Sequence, residues 1–139
     1  MTVAPIQISH PNTGKGYKFV EDGKTFVFLT DNELGFVHPG GLHKKEYLSF
    51  CEGADLLFHD AEYTPREYKL LMEWGHSSYK DVLELAFKAN VKQLGLFHHN
   101  QERTDDEIDA TVEACQKIIA KRKRQLSCFA VGADMSFEL

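Results

Sequence analysis

Groups that bind metal ions or transfer protons follow three apolar stretches of this sequence. The ends of these stretches are Leu29-Thr30-Asp31, Phe58-His59-Asp60 and Phe97-His98-His99. Ligands of α/β proteins bind beyond the carboxyl ends of the strands, so we expect these side chains to converge although they lie far apart in the chain. Imidazole and carboxylate groups together suit Zn, Mn or Fe. The sequence therefore predicts a metal-dependent centre at one edge of a sheet.

Four further histidines lie outside these stretches, and they divide into two pairs. His10 precedes the first hairpin strand, and His76 lies in a glycine-containing loop between two predicted helices. We add both to the candidate site. His38 and His43 lie in the loop-like segment 35–43, and we interpret both as exposed surface residues.

Each candidate residue also has a purely structural explanation. Asp31 is of the type that forms a turn after a strand, and Asp60 is of the type that caps a following segment. His59 lies within a predicted strand, so we expect it to have a structural role. His99 should face away from His98, because neighbouring residues of an extended segment face opposite sides, so only one of the pair should bind metal. The site hypothesis therefore rests on the combination of residues.

Strands with strong local signals must position these groups. Asp22-Gly23 lies between the apolar runs Gly16–Val20 and Thr25–Leu29, which predicts a hairpin because both turn positions need positive φ. The segments 54–59 and 93–97 are typical of buried strands, and the helical segment between them makes a parallel arrangement the expected one. The tail predicts two short closing strands, over 126–131 and 135–139.

Three helices are predicted from their N-terminal capping signals, which begin at Thr64, Ser78 and Thr104. The first should run from Pro65 to about Glu73. The second follows Ser78, and the third is the longest and ends in the basic run 121–124. Strands that alternate with helices make the chain an α/β protein.

Length and composition limit the possible classes. The 139 residues, 42% of them hydrophobic, predict one domain over 1–139. A formal charge of −5 argues against a surface that neutralises many phosphates. No apolar run approaches the roughly 20 residues of a membrane span, and we expect a cytoplasmic protein without membrane contact. The three widely spaced cysteines predict neither a disulfide framework nor a metal clip.

The order of these motifs resembles the C-terminal half of a metallo-β-lactamase-superfamily domain, and the resemblance runs through nearly the whole chain. It is strongest to the branch that contains the tRNA 3′-end-processing endonucleases (RNase Z) and related phosphodiesterases. In that branch a Gly-His-Ser-Thr motif follows a His-Glu-Ala motif; here Asp60 replaces the Glu and Ser78 the Thr. The stretches that carry the resemblance are 10–19, 25–31, 54–61, 75–78 and 96–99.

The resemblance implies a role for each candidate residue. His10, Asp31 and His98 would be metal ligands, with Asp31 bridging two divalent ions, zinc first and Mn or Fe as alternatives. His76 would donate a proton to the leaving oxygen, and Asp60 would hold its ring in the right tautomer. The implied fold is half of an αββα sandwich, namely a mixed sheet with helices on one face.

The chain departs from the superfamily in lacking its His-x-His-x-Asp-His motif, and no His-x-His occurs in these residues. The implied half-sandwich would expose an apolar sheet face, so we expect a homo-oligomer, a partner chain or a truncated product. The leading hypothesis is a phosphodiesterase-like hydrolase of small-molecule or nucleotide phosphoesters, whose site another chain completes. The alternative is a noncatalytic half-domain. A receiver-like signalling domain ranks last, because position 98 holds His where a Lys would be required.

Overall fold

The computed structural model describes residues 1–139 as one six-stranded sheet with four helices. The strands lie side by side in chain order, and the first three are antiparallel whereas the last four run parallel. The elements are Thr2–Gln7 (β1), Lys15–Glu21 (β2), Lys24–Leu29 (β3), Lys44–Cys51 (α1), Leu56–Asp60 (β4), Pro65–Leu70 (α2), Tyr79–Lys88 (α3), Gln93–Phe97 (β5), Asp105–Lys121 (α4) and Ser127–Ala130 (β6). The predicted α/β class with a mixed sheet is confirmed.

The β2–β3 hairpin forms as predicted around its two-residue turn. Asp22 and Gly23 have φ angles of 48° and 76°, the left-handed conformation that Asp-Gly adopts readily. β3, β4, β5 and β6 then pair in parallel register, with Phe28 opposite Phe58 and Phe58 opposite Gly95. The parallel pairing brings the carboxyl ends of β3, β4 and β5 to the same edge of the sheet.

All three predicted helices begin at their predicted caps. Thr64 and Thr104 form capping boxes with the glutamates three residues later, and the Ser78 side chain accepts from the Asp81 backbone N–H. α2 ends at Leu70, earlier than the predicted Glu73, because the next turn leaves the helical path: Glu73 has a φ of 74°.

One core lies between the sheet and the helices. Alternate residues of β3, β4 and β5, such as Leu29, Leu57 and Leu96, are fully buried there. α3 covers them with its apolar stripe, in which Val82 and Leu85 are also fully buried. The three cysteines are free and buried, as expected of small core residues. No helix of the structure has the length and apolarity that a bilayer crossing requires.

The opposite face of the sheet is aromatic. Phe26 and Phe58 meet edge to face at 5.1 Å between ring centroids, and Phe28 and Phe97 do so at 5.2 Å. These rings are only partly buried, and Tyr17 on the same face is 38% exposed. We call this surface the aromatic face; its residues are Tyr17, Phe19, Phe26, Phe28, Phe58, Phe97 and Phe129.

One predicted strand is absent from the structure, and two elements of the structure were not predicted. The predicted closing strand at 135–139 is wrong, because Phe137 packs on the rings of Phe58 and Phe129, at 5.2 Å from each, instead of pairing at the sheet edge. Neither β1 nor α1 was predicted. β1 contains Pro5, which an edge strand tolerates, and α1 begins after His43, whose side chain makes no capping hydrogen bond.

Candidate active site

The candidate site lies at the carboxyl ends of the three central strands. Asp31 follows β3 by two residues, Asp60 ends β4, and His98 directly follows β5. Asp31 and His98 both adopt left-handed backbone conformations, with φ angles of 49° and 53°. Such conformations in residues other than glycine cluster at functional sites. The structure thus brings together side chains that are up to 67 positions apart in the chain.

Asp31 and His98 face each other directly. The distance from Asp31 Oδ1 to His98 Nε2 is 3.2 Å, and the Thr30 hydroxyl donates to the other Asp31 oxygen at 2.9 Å. On the far side of the ring, Glu62 Oε2 lies 3.1 Å from His98 Nδ1. The Glu62 contact and the charges of Asp60 and Asp31 outweigh partial burial and raise the pKa of His98 to about 9. Without a metal, an imidazolium therefore provides the positive charge that these carboxylates attract.

His10 approaches the same position from the loop before β2. Its Nδ1 accepts the Asn12 backbone N–H at 3.2 Å, which leaves Nε2 available as a ligand atom. Partial burial, and then the neighbouring His76, lower the pKa of His10, so its ring is neutral at pH 7, the form that binds metal. Gly75 permits this packing, because a Cβ at that position would overlap the His10 ring.

His76 pairs with the buried carboxylate of Asp60. The distance from His76 Nδ1 to Asp60 Oδ2 is 2.5 Å. Asp60 Oδ1 also accepts the backbone N–H groups of Ser77 and Glu62, at 3.2 Å each. Burial of the ring alone would lower the pKa of His76, but the hydrogen bond to Asp60 and its charge outweigh burial and raise this pKa. His76 is therefore suited to hold a proton and release it from Nε2.

The donor set fits a transition metal. His10, Asp31 and His76 form one group with ligand atoms within 4.8 Å of one another, and Asp60, His76 and His98 form a second. The 3.2 Å between Asp31 Oδ1 and His98 Nε2 is close to the roughly 3.3 Å that separates two ligands of a tetrahedral zinc. His76 belongs to both groups, and because its Nδ1 is bonded to Asp60, Nε2 is the ring atom left to bind an ion or to donate a proton. Neither group contains His10 and His98 together, so the predicted ligand set of His10, Asp31 and His98 is only partly assembled: Asp31 groups with His10 and lies 3.2 Å from His98 Nε2.

His59 links the loop that carries Asp31 to the end of β4, where Asp60 lies. The ring is fully buried; Nδ1–H donates to the Asp60 carbonyl oxygen at 2.7 Å, and Nε2 accepts from the Asn32 amide at 3.2 Å. The acceptor-only carbonyl fixes this tautomer. His59 thus makes the structural contacts expected of it, and burial lowers its pKa to about 4.

The shift of His59 predicts an acid-sensitive fold. The unfolded chain binds a proton near pH 6.5 but the folded chain only near pH 4, so stability present above pH 6.5 is lost between these values. We expect His59 to account for about 2–3 kcal/mol of this loss, at 1.36 kcal/mol per pKa unit. Urea unfolding in EDTA at pH 7 and 4.5 measures it. His59→Gln should remove that part of the pH dependence and His43→Gln should not; equal losses in all three proteins would contradict the assignment.

The three remaining histidines differ in their burial and in their hydrogen-bond partners. His43 is exposed, as predicted. The prediction of an exposed His38 is wrong: its ring is 5% exposed, and its Nε2–H donates to Glu33 Oε2 at 2.7 Å. The sequence gives no periodic signal for this burial, because the hydrogen-bond partner of His38 lies in the same loop. His99 lies next to His98 but has a buried Nε2 without a partner, and it makes none of the site contacts described above.

The sequence interpretation did not include Glu62, although it borders both site histidines. Its Oε2 lies 3.1 Å from His98 Nδ1 and 3.4 Å from His76 Nε2. Burial would raise the pKa of Glu62, but these imidazoles hold it below its usual range. A signal was present, because residues two apart in an extended segment share a face, which places Glu62 on the side of Asp60.

Comparisons with known proteins agree on one family. No protein-family model matches the chain. A ribonuclease Z of Brevibacillus brevis is 33% identical over 95 residues, which cover 68% of this chain and 30% of that protein. A ribonuclease Z of Picrophilus torridus is 38% identical over 60 residues, covering 43% of this chain and 19% of that protein. The chain therefore spans less than a third of the length of these relatives.

Solved structures show the same fold. The metallo-β-lactamase-fold protein YhfI of Bacillus subtilis superposes with a TM-score of 0.72 at 17% identity, over 96% of this chain and 47% of that one. The short form of human tRNase Z gives a TM-score of 0.68 at 20% identity, over 98% of this chain and 42% of that one. Sequence relatives and fold together place the chain in the metallo-β-lactamase superfamily, as part of that superfamily's domain.

Proposed function

We propose that this chain provides the proton donor and part of the metal site of a hydrolase that cleaves phosphodiester bonds. The observation that carries the proposal is the Asp60–His76 pair, which lies beside the facing Asp31 and His98 side chains. The His76 and His98 rings stack at 4.6 Å between centroids, so the proton donor and the metal ligands share one small site.

Each side chain has a defined task in this reaction. His10, Asp31 and His98 would hold a divalent ion, zinc first and Mn or Fe as alternatives, with two ions in the complete site. When bound, these ions supply an activated water and neutralise charge on the phosphoryl oxygens. His76 delivers its Nε2 proton to the leaving oxygen, and Asp60 keeps the ring protonated and oriented.

The sequence relatives support this reaction class, since both compared proteins are named ribonuclease Z. The 139 residues contain no His-x-His, so we propose that the other metal ligands come from a second polypeptide segment: a second copy, a partner chain or the rest of a longer protein. That segment would also cover the aromatic face. The three buried free cysteines fit a reducing compartment, and we propose a cytoplasmic location.

A complementation assay tests the proposal. The zinc- or manganese-loaded chain is assayed with bis(p-nitrophenyl) phosphate, alone and mixed with a fragment of a ribonuclease Z that carries the His-x-His-x-Asp-His motif. We expect hydrolysis that depends on metal and rises on mixing, that Asp31→Ala abolishes and that the exposed-site variant His43→Ala leaves intact. A chain that binds no metal after loading would contradict the proposal.

The second candidate is a noncatalytic half-domain that associates through its sheet. The aromatic face favours it, because half-buried aromatic rings on a sheet face mark an interaction surface. This alternative predicts an oligomer in light scattering whose unfolding temperature is the same with zinc and with EDTA. The hydrolase proposal predicts an unfolding temperature that zinc raises and EDTA lowers again.

A further inference from the structure

We propose that Glu33 is a positioning residue that holds the turn carrying His76 in register with the loop carrying Asp31. The expected effect of Glu33 on catalytic turnover rests on the function proposed above, whereas its expected effect on the backbone turn before His76 does not. Glu33 is fully buried, with 1% of its surface exposed, although the sequence places it in a loop. A buried carboxylate is costly unless hydrogen bonds satisfy its oxygens, so its partners indicate what it does.

The Glu33 carboxylate accepts four hydrogen bonds. Oε1 accepts from the Tyr68 hydroxyl and from the Glu73 backbone N–H, each at 2.8 Å. Oε2 accepts from the Gly75 backbone N–H at 2.8 Å and from His38 Nε2–H at 2.7 Å. These bonds occupy the approximately four acceptor positions of a carboxylate. Glu33 is therefore unavailable as a metal ligand or as a base.

Two of the four donors are backbone groups of the turn that ends at His76. Glu73 and Gly75 adopt left-handed φ angles of 74° and 99°, so the turn contains two unusual conformations within three residues. A non-glycine residue such as Glu73 reaches this conformation only at a cost that the surroundings must offset. The hydrogen bonds to Glu33 provide that stabilisation. His76 directly follows Gly75 in the chain.

The other end of the connection is the loop that carries Asp31. The Glu33 backbone N–H donates to the Ser9 carbonyl at 2.8 Å, and the Asn32 side chain accepts the Ser9 N–H at 2.9 Å. The Ser77 hydroxyl donates to the Asn32 carbonyl at 2.6 Å. Hydrogen bonds therefore join the two loops on both sides of His76, through Gly75 and Ser77. The separation between the proton donor and Asp31 follows from these contacts.

A matched pair of variants separates positioning from general stabilisation. Glu33→Gln keeps the shape but has only one accepting oxygen, so either the Glu73 or the Gly75 backbone N–H, which bond to different oxygens of Glu33, must face an NH₂ group and lose its bond. Tyr68→Phe removes one donor and leaves both turn bonds in place. In the metal-free chain we expect Glu33→Gln to speed exchange of the Glu73 or the Gly75 amide hydrogen at least tenfold and to broaden away the His76 Nδ1–H proton resonance. Tyr68→Phe should change the exchange rate less than threefold and keep the resonance.

Two results would overturn the inference. One is a folded Glu33→Gln chain with wild-type exchange of both the Glu73 and the Gly75 amides and an intact His76 resonance. The other is measured on the wild-type chain and needs no variant to fold: ¹⁵N order parameters for residues 73–76 below about 0.6, the range of flexible backbone, instead of near 0.85.

Turnover measurements extend the test to the reaction. In the complemented, metal-loaded protein we expect Glu33→Gln to lower kcat at least tenfold and to change KM less than twofold, because the proton donor is displaced while the substrate contacts remain. An unchanged kcat in a folded variant would overturn the positioning role in catalysis. If no protein turns over, the proposed function fails, and the resonance and exchange results still decide whether Glu33 holds the turn.

Discussion

The Asp31→Ala substitution is expected to weaken zinc binding by about a hundredfold to a thousandfold. A four-ligand zinc site in a small domain binds with about 10–16 kcal/mol, so one ligand accounts for about 2.5–4 kcal/mol. At 1.4 kcal/mol per factor of ten, this range corresponds to the expected loss. Asp31 is the proposed ligand whose removal is the most informative, because its carboxylate faces His98 Nε2 directly and its side chain is 36% exposed.

Competition titration of zinc against a chromogenic chelator measures this loss. The matched control is Asp109→Ala, which removes an exposed aspartate from α4 with the same change in net charge. The control should bind zinc like the wild type, and Asp31→Ala should retain its fold in EDTA because the lost side chain is partly exposed. Equal zinc affinity in the wild type and Asp31→Ala would show that any bound ion lies elsewhere.

The His76→Gln substitution is expected to lower turnover by a factor of about 10²–10⁴, the usual contribution of a general acid. Glutamine keeps a polar group of similar reach but cannot donate an acidic proton from the position of Nε2. Zinc affinity should change less than threefold, because the proposed roles assign the ion to His10, Asp31 and His98 and make His76 the proton donor. A large loss of zinc affinity would identify His76 as a metal ligand and not as the proton donor.

The leaving group provides a further readout for the same variant. A nitrophenolate leaves without help, whereas an alkoxide needs a proton in the transition state. We therefore expect His76→Gln to reduce hydrolysis of an alkyl phosphodiester at least about tenfold more than hydrolysis of bis(p-nitrophenyl) phosphate. Asp60→Asn should show the same difference, since Asp60 acts through His76. Equal losses for the two substrates would contradict a proton-donor role.

Local signals account for the parts of the fold that the sequence predicted. The Asp22-Gly23 turn needs only its own two residues to adopt left-handed φ angles, and the capping boxes at Thr64 and Thr104 involve residues three apart. The convergence of Asp31 and His98 could also be predicted from the sequence, because parallel strands align their carboxyl ends at one sheet edge. A strand-end residue is therefore placed once the strand order is known.

Contacts between loops account for what the sequence did not predict. Glu33 has partners 35 to 42 positions away, in Tyr68, Glu73 and Gly75, and no periodicity links them. His38 is likewise buried, with its Nε2–H bonded to the Glu33 carboxylate. After α2, the backbone N–H groups of Glu73 and Gly75 likewise bond to Glu33 and do not continue the helix. These features depend on which loops meet, which local propensity does not determine.

The position of a bound zinc tests directly whether Asp31 and His98 hold a metal ion. Crystals of the chain grown with zinc, with diffraction recorded on both sides of the zinc absorption edge, locate the ion without assumption about its ligands. We expect an anomalous peak within about 2.0–2.2 Å of Asp31 and His98 side-chain atoms, with His10 as the third ligand. An anomalous peak remote from Asp31 and His98, or no peak at saturating zinc, would contradict it.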